Sequence, residues 1–258
     1  MLKILGQFGK PPKMLLATGK INLMHIYQTI RESVLVPIHP AGWPFISLFA
    51  IATVILSALW EPFFFPGLVL TLWCVYFFRN PVRTTPDRGG LVIAPADGRV
   101  LSVEDLPAPA EMDLPEASYT RVAIFMNVFD VHVNRAPMAG EIIDKFYFPG
   151  AFLNASLDKA SEQNERLGLV IKTDHGPVIG CIQIAGLVAR RILCDVAEGD
   201  TLKTGEHYGI IRFGSRVDVW LPKPVKVLAI PGQKTIAGET MIADFNRGAK
   251  ANETGTAR

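Results

Sequence analysis

What this chain has little of narrows its function before any motif is weighed. It has three cysteines, Cys74, Cys181 and Cys194, scattered without paired or metal-like spacing. That set argues against a disulfide framework and gives no zinc signature, so no metal is expected. Charge of one sign is not in excess either. The formal net charge is +2, which provides no strong field for nucleic acid. Internal repeats and low-complexity tracts are missing, and no motif for an external cofactor appears.

Apolar residues are in excess, at 49% of the chain, which is high for a wholly soluble protein. They concentrate in one place. Residues 42–60 read GWPFISLFAIATVILSALW without a charge, and after Glu61 and Pro62 the run FFFPGLVLTLWCVYFF continues uncharged to Phe78. The first run is long enough to cross a bilayer as a helix, and the second is marginal. Trp43, Trp60, Trp73 and Tyr76 fall near the ends of these runs, where amphipathic rings favour an interface. Lys3, Lys10, Lys13, Lys20 and Arg31 precede, while Arg79 and Arg83 follow. Basic residues on both flanks predict a hairpin that enters and leaves on the cytoplasmic side of the cell membrane. Two helices buried in a soluble core are the alternative. A cleaved signal peptide fits poorly, because the apolar part begins far from Met1.

After Pro86 the pattern changes to short β-like runs, LVIA, GRVLSV, RVAIFMNV, GLVIKT, VIGCIQIAGLVARRIL and KVLAI, punctuated by Gly, Pro and Asp. This predicts a mainly antiparallel β domain. The expected architecture is α+β, with a helical membrane-associating region over 1–84 and a β-rich domain over 85–258. The polar stretch NASLDKASEQNERLG reads as a short helix or a loop at a site. Residues 246–258 read as a frayed tail.

Three polar features of the β part carry chemistry. In IRFGSRVDVW, residues 212–221, alternation puts Phe213, Ser215, Val217 and Val219 on one face and Arg212, Arg216 and Asp218 on the other. One hydroxyl thus shares an apolar face, directly after Gly214. Taken alone, the Gly-Ser pair is explained by a bulge with Ser215 bonded to a neighbouring carbonyl. In APADGRV, Asp97 precedes Gly98, an ordinary turn signal. In RVAIFMNVFDVHVNRAP, strict alternation places Val122, Ile124, Met126 and Val128 on one face with Asp130, His132 and Asn134. An apolar face that turns polar at its end describes the wall of a pocket. His132 is either a hydrogen-bonded core residue or a proton-transfer group, since its unperturbed pKa suits transfer near neutrality.

The order FFRNPVRTTP, APADG, NVFDVHVNRAP, NASLDKASEQNER and IRFGSRVDVWLP closely resembles the phosphatidylserine decarboxylase proenzymes, in particular their short bacterial and archaeal branch. The resemblance covers roughly residues 75 to 222. It implies a membrane-associated, pyruvoyl-dependent enzyme that cuts its own chain, here between Gly214 and Ser215. The pyruvoyl group derives from Ser215, and phosphatidylserine in the membrane is the partner it acts on through a Schiff base. The products of the cut, 1–214 and 215–258, stay together as a heterodimer. A homo-oligomer of such pairs is left open, as is an ester or an ether lipid. On this likeness Ser215, His132 and Asp97 are the catalytic set, with His132 activating Ser215 and later reprotonating the headgroup α-carbon, and with Asp97 supporting it. Asp130 tunes or orients the site. Many longer relatives carry a second histidine three residues after the first, where this chain has Arg135, and arginine is no base at ordinary pH. His207 has only its nearness to the cleavage point to recommend it. Arg79 and Arg83 meet lipid phosphates or simply flank the membrane. A membrane-anchored serine hydrolase using Ser215, and a non-enzymatic lipid-binding module, are the competing functions.

Overall fold

The computed structural model describes residues 36–86, 88–114, 118–150, 164–186, 191–212, 215–246 and 255–257. The chain divides into two units, Met1–Val36 and Pro37–Arg258, and the described residues belong to the second apart from Val36. The basic residues Lys3 to Arg31 that bear on membrane orientation lie outside the described residues, as does most of the polar stretch after Phe152.

The two uncharged runs are helices, α1 over Trp43–Leu59 and α2 over Phe64–Phe77. A single turn at Pro40–Gly42 leads into α1, with His39 as its cap and Pro40 at the first position, where a missing N–H costs nothing. The helices pack as a hairpin. Gly67 permits the closeness, since a Cβ there would lie 2.5 Å from Thr53 Oγ1. At the base, the entering and leaving segments are tied by His39 N donating to Phe78 O at 2.8 Å and Asn80 N to Pro37 O at 2.6 Å. Both helix ends therefore start from one side. Pro40–Leu59 is long and apolar enough to cross a membrane. The alternative of two core helices does not hold in this chain, because Val54, Leu59 and Phe65 are 68%, 78% and 72% exposed.

Sixteen strands are described, β1 (Thr84–Pro86), β2 (Leu91–Ile93), β3 (Gly98–Pro107), β4 (Ser118–Met126), β5 (Val133–Arg135), β6 (Gly140–Phe148), β7 (Arg166–Thr173), β8 (Val178–Ala185), β9 (Arg191–Cys194), β10 (Thr201–Leu202), β11 (His207–Arg212), β12 (Ser215–Pro222), β13 (Lys226–Val227), β14 (Lys234–Thr235), β15 (Met241–Asp244) and β16 (Gly255–Ala257). Among the described residues they form an eight-stranded sheet in the order β10-β6-β7-β8-β12-β4-β3-β14, two three-stranded sheets, β5-β11-β9 and β13-β15-β2, and the pair β1-β16. Every pairing is antiparallel, so the α+β expectation holds.

The main core lies on the face of the large sheet shared by Val122, Ile124, Met126, Val217 and Val219, closed by Val92, Ile242, Tyr208 and Ile211 from the smaller sheets. A second cluster joins the hairpin base to the β part through Ile46, Phe77 and Phe78 against Val131, Val133 and Ile210. Two expectations need correction. The strand read through 122–134 ends at Met126, because Asn127 N and Nδ2 donate to Asp130 Oδ2 and Phe129 N donates to Asn127 Oδ1. Such side-chain bonds close a turn that competes with strand pairing. The tail is not wholly frayed, since Gly255–Ala257 pairs with Thr84–Pro86.

Candidate active site

The polar groups gather at the C-terminal end of β4. On one edge of this strand Phe125 pairs with Arg99, and on the other Met126 pairs with Ser215. The Asp97-Gly98 step reaches that end only because residue 98 lacks a side chain, as a Cβ there would sit 2.1 Å from Phe125 O. After Met126 the chain turns through Asn127–Asp130 and arrives at His132. Asp97 and Ser215 thus approach one strand end from its two edges, and His132 follows the turn that leaves it. Gly214 lies outside the described residues.

Ser215 opens β12 between β4 and β8, opposite Met126 and Ala185, and is fully buried. Its hydroxyl donates to the Met126 sulfur at 3.9 Å, a weak acceptor. The same sulfur receives Asn134 Nδ2 at 3.7 Å, and Asn134 Oδ1 accepts from Gln183 Nε2 at 2.8 Å. A small polar pocket of amides therefore borders the serine inside an apolar face.

His132 is also fully buried. Its ring lies on Phe77 of α2, with centroids 4.3 Å apart. Nδ1 is 3.0 Å from the Asp130 carbonyl. A carbonyl can only accept, so Nδ1 carries the proton and Nε2 keeps its lone pair. Burial pushes the imidazole down to about 4; the Asp130 contact opposes this and the Arg79 charge adds to it. The ring is therefore neutral at physiological pH, the protonation state that a general base requires.

Asp97 does not hydrogen-bond His132. Its carboxylate takes both bonds from Arg83 Nη2, at 3.1 and 2.8 Å, and the Ala237 N–H at 2.8 Å. Burial raises its pKa, while Arg83 and the Ala237 amide pull it back. The Asp97 and His132 sites nevertheless both feel the charge of Arg79. Asp130 orients His132 through its carbonyl, while its carboxylate closes its own turn. Arg135 is buried in β5, donating to Gly205 O, Asn80 Oδ1 and Pro81 O; it laces two loops together.

Among the described residues the grouping nearest to a metal site is His39, Asp195 and His207, whose ligand atoms lie within 4.8 Å of one another. His39 Nδ1 already accepts the Ala41 N–H, which leaves the ring proton on Nε2, a poor arrangement for ligation.

A family model described as phosphatidylserine decarboxylase matches residues 70–243. The chain is also 56% identical over 211 residues to a phosphatidylserine decarboxylase proenzyme of Nitrobacter winogradskyi, an alignment covering 82% of this chain and 85% of that one. The chain belongs to the phosphatidylserine decarboxylase family.

Within that family frame, the sequence reading reached Ser215, His132 and Asp97 but missed Gln183, set in the apolar run VIGCIQIAG of β8. A lone amide at a strand position flanked by isoleucines was the available signal, because a buried amide has to find partners. Gln183 Oε1 is buried without a donor among the described residues. It pairs across from Val217, two positions along from Ser215 and on the same face.

Proposed function

We propose that this chain is a phosphatidylserine decarboxylase proenzyme that cuts itself between Gly214 and Ser215 and converts residue 215 into a pyruvoyl group. The observation that carries this reading is the setting of the Ser215 hydroxyl in a member of this family. It is wholly buried and, among the described residues, has only a thioether to bond. In the uncut chain such a hydroxyl is closed to an external acyl group, which favours attack on the neighbouring peptide over a membrane-anchored serine hydrolase; the headgroup is met only once the cut has freed the start of β12. The peptide carbonyl that precedes it in the chain needs no access route.

The proposed processing uses the chain's own groups. His132 Nε2 takes the Ser215 proton as Oγ adds to the Gly214 carbonyl. The C–N bond then breaks, and the amide becomes an ester with residue 215 carrying a free amine. Loss of the residue 215 α-proton expels the Gly214 carboxylate and leaves a dehydroalanine. Its imine form takes up water and releases ammonia, leaving a ketone. The product is made from a residue already in place at the start of β12, so no external group has to be bound to supply it. When formed, the pyruvoyl group supplies a carbonyl that condenses with the serine amine and accepts the electron pair left by carbon dioxide.

His132, once protonated, returns a proton to the headgroup α-carbon. Asp97 matches the family aspartate and is assigned to processing as a positioning residue, acting through charge and through Arg83. The hairpin holds the enzyme on the cytoplasmic side of the cell membrane, where the headgroup is met. Only that headgroup enters the chemistry, so ester and ether lipids both fall within the reading. The cut products 1–214 and 215–258 remain paired.

The intact mass of purified protein tests the proposal. Two fragments are expected, the smaller with a blocked amino end, whereas Ser215→Ala remains one inactive chain. His132→Ala should accumulate uncut protein, with cleavage slower by about 10²- to 10⁴-fold. An active wild type that is a single unmodified polypeptide would falsify the pyruvoyl reading.

A further inference from the structure

Between the hairpin and His132 lies one cation that faces no carboxylate within ion-pair distance among the described residues. Arg79 lies two residues beyond the end of α2 and is half-buried. Nη1 donates to Tyr76 O at 2.6 Å, Nη2 donates to Phe129 O at 2.7 Å, and the guanidinium lies 3.7 Å over the Tyr76 ring. Two of its five N–H groups are thereby used. The nearby carboxylates are engaged elsewhere, Asp97 with Arg83 and the Ala237 amide, and Asp130 with Asn127. By contrast Arg83, Arg88, Arg121, Arg166 and Arg216 each face a carboxylate within ion-pair distance.

The surroundings of Arg79 face two ways. Outward stand Phe129, 61% exposed, Val82, 66% exposed, and the ring of Tyr76, an apolar rim continuous with the hairpin. Inward, its charge is felt at both His132 and Asp97. Burial of the guanidinium lowers its pKa, the mark of a cation held out of water without full compensation. Such a group, with three N–H directions open among the described residues and an apolar rim beside it, suits an oxyanion that arrives attached to a lipid.

We propose that Arg79 binds the phosphodiester of the lipid headgroup, an assignment that rests on the decarboxylase reading above. The phosphate of a serine phospholipid is bonded through oxygen to the serine β-carbon. A fork of N–H groups on that phosphate therefore fixes where the amine and carboxylate lie, directing them inward toward His132 and residue 215 while the acyl chains run along the hairpin.

Dihexanoyl-phosphatidylserine, used below its micelle-forming concentration, separates headgroup binding from membrane binding. On this substrate Arg79→Gln should raise KM by about 10- to 100-fold, the worth of a charge-assisted pair of hydrogen bonds, with kcat within about 3-fold. On an analogue in which a neutral ether joins serine to dihexanoylglycerol, wild type and variant should behave alike. Equal KM penalties on both substrates, or a penalty seen only on anionic vesicles, would overturn the assignment; the latter result would make Arg79 a plain membrane contact. Inhibition by inorganic phosphate as strong as that by dihexanoyl-phosphatidate would also overturn it, as a site for free phosphate. Should Arg79→Gln arrest cleavage by releasing the Phe129 carbonyl, Arg79→Lys gives the same comparison with a smaller KM rise. Arg79 is in place with Ser215 intact, so calorimetric titration of Ser215→Ala protein, with and without Arg79→Gln, reads phosphodiester binding independently of any pyruvoyl group. An uncut wild type would defeat the decarboxylase reading and leave that titration to decide the site.

Discussion

At the base of the α1–α2 hairpin, Ile46, Phe77 and Phe78 are buried against Val131, Val133 and Ile210, and Phe77 lies on the His132 ring. At the far end, Leu59, Trp60 and Phe65 stand open. The side chains are of one chemical kind, and both helices are uncharged throughout. What differs is the neighbour. The base meets the β5-β11-β9 sheet and becomes core, whereas among the described residues the far end meets nothing that removes it from water. Exposed apolar surface of this extent marks an interaction site, and a bilayer is the proposed occupant. One hairpin thus combines a structural half, which backs His132, and a half proposed to dock.

That division predicts opposite responses to substitution. The largest effect is expected at the far end. Replacing Val54, Leu59 and Phe65 together by serine removes three large apolar contacts, each worth about 1.5–3 kcal/mol. Co-sedimentation with phosphatidylserine vesicles should fall by about 10³-fold or more, while the cut fraction stays that of the wild type. Unchanged vesicle binding would show that this end does not insert.

Next in size comes the base. Phe77→Ala should cost about 3–5 kcal/mol in detergent-solubilised protein and slow cleavage as well, because His132 loses the ring it rests on. Phe65→Ala, the control at the far end, should stay within about 0.5 kcal/mol under the same conditions. Comparable losses at both positions would erase the distinction.

The smallest effect is a pH dependence seated at the base. His132 is held at about 4, against 6.5 for an imidazole open to water. Its contribution to stability is fully present above pH 6.5 and is lost as pH falls from there toward 4, because the unfolded chain binds a proton that the folded one refuses. Denaturant unfolding of Ser215→Ala protein should lose up to about 1.4 kcal/mol per pH unit in that window from this group. His132→Gln on the same background should flatten the slope. Cleavage of the wild type should hold its rate from pH 8 down to about 5; a midpoint near 6.5 would mean that the histidine is not buried when it acts.

Much of this layout was legible in the residues. The helix bounds followed from charge-free runs ended by Glu61-Pro62 and by Arg79. Alternation placed Ser215, Val217 and Val219 together on the inner face of β12, and the structure agrees. The fate of the other face was not legible. Arg216 and Asp218 are buried there, paired at 2.7 Å, because Met112 from a distant turn covers that side along with Tyr119 and Trp220. Local sequence does not reveal what a remote segment will cover. The turn at Asn127–Asp130 was missed for a related reason: it contains neither glycine nor proline, and its closure depends on side-chain bonds that an alternation pattern does not register. Asp97 was found by likeness, but its pairing with Arg83, read from the sequence as a lipid-phosphate contact or a membrane flank, was not, since the two meet across a fold that brings the helix exit beside the β2–β3 turn.

The position of β12 has a consequence for what a cut at residue 214 leaves behind. The strand is hydrogen-bonded along both edges, to β4 and β8, and its first residue is the proposed new chain end. The severed piece also supplies β14 to the large sheet, β13 and β15 to a smaller one, and β16 to the pair with β1. It is woven through three of the sheets among the described residues, so removing one covalent bond removes none of these ladders. Release of the fragment would require the large sheet to be opened at its middle, which amounts to unfolding. Subunit dissociation and denaturation therefore become the same event, and dilution alone should not separate the two chains of the mature enzyme.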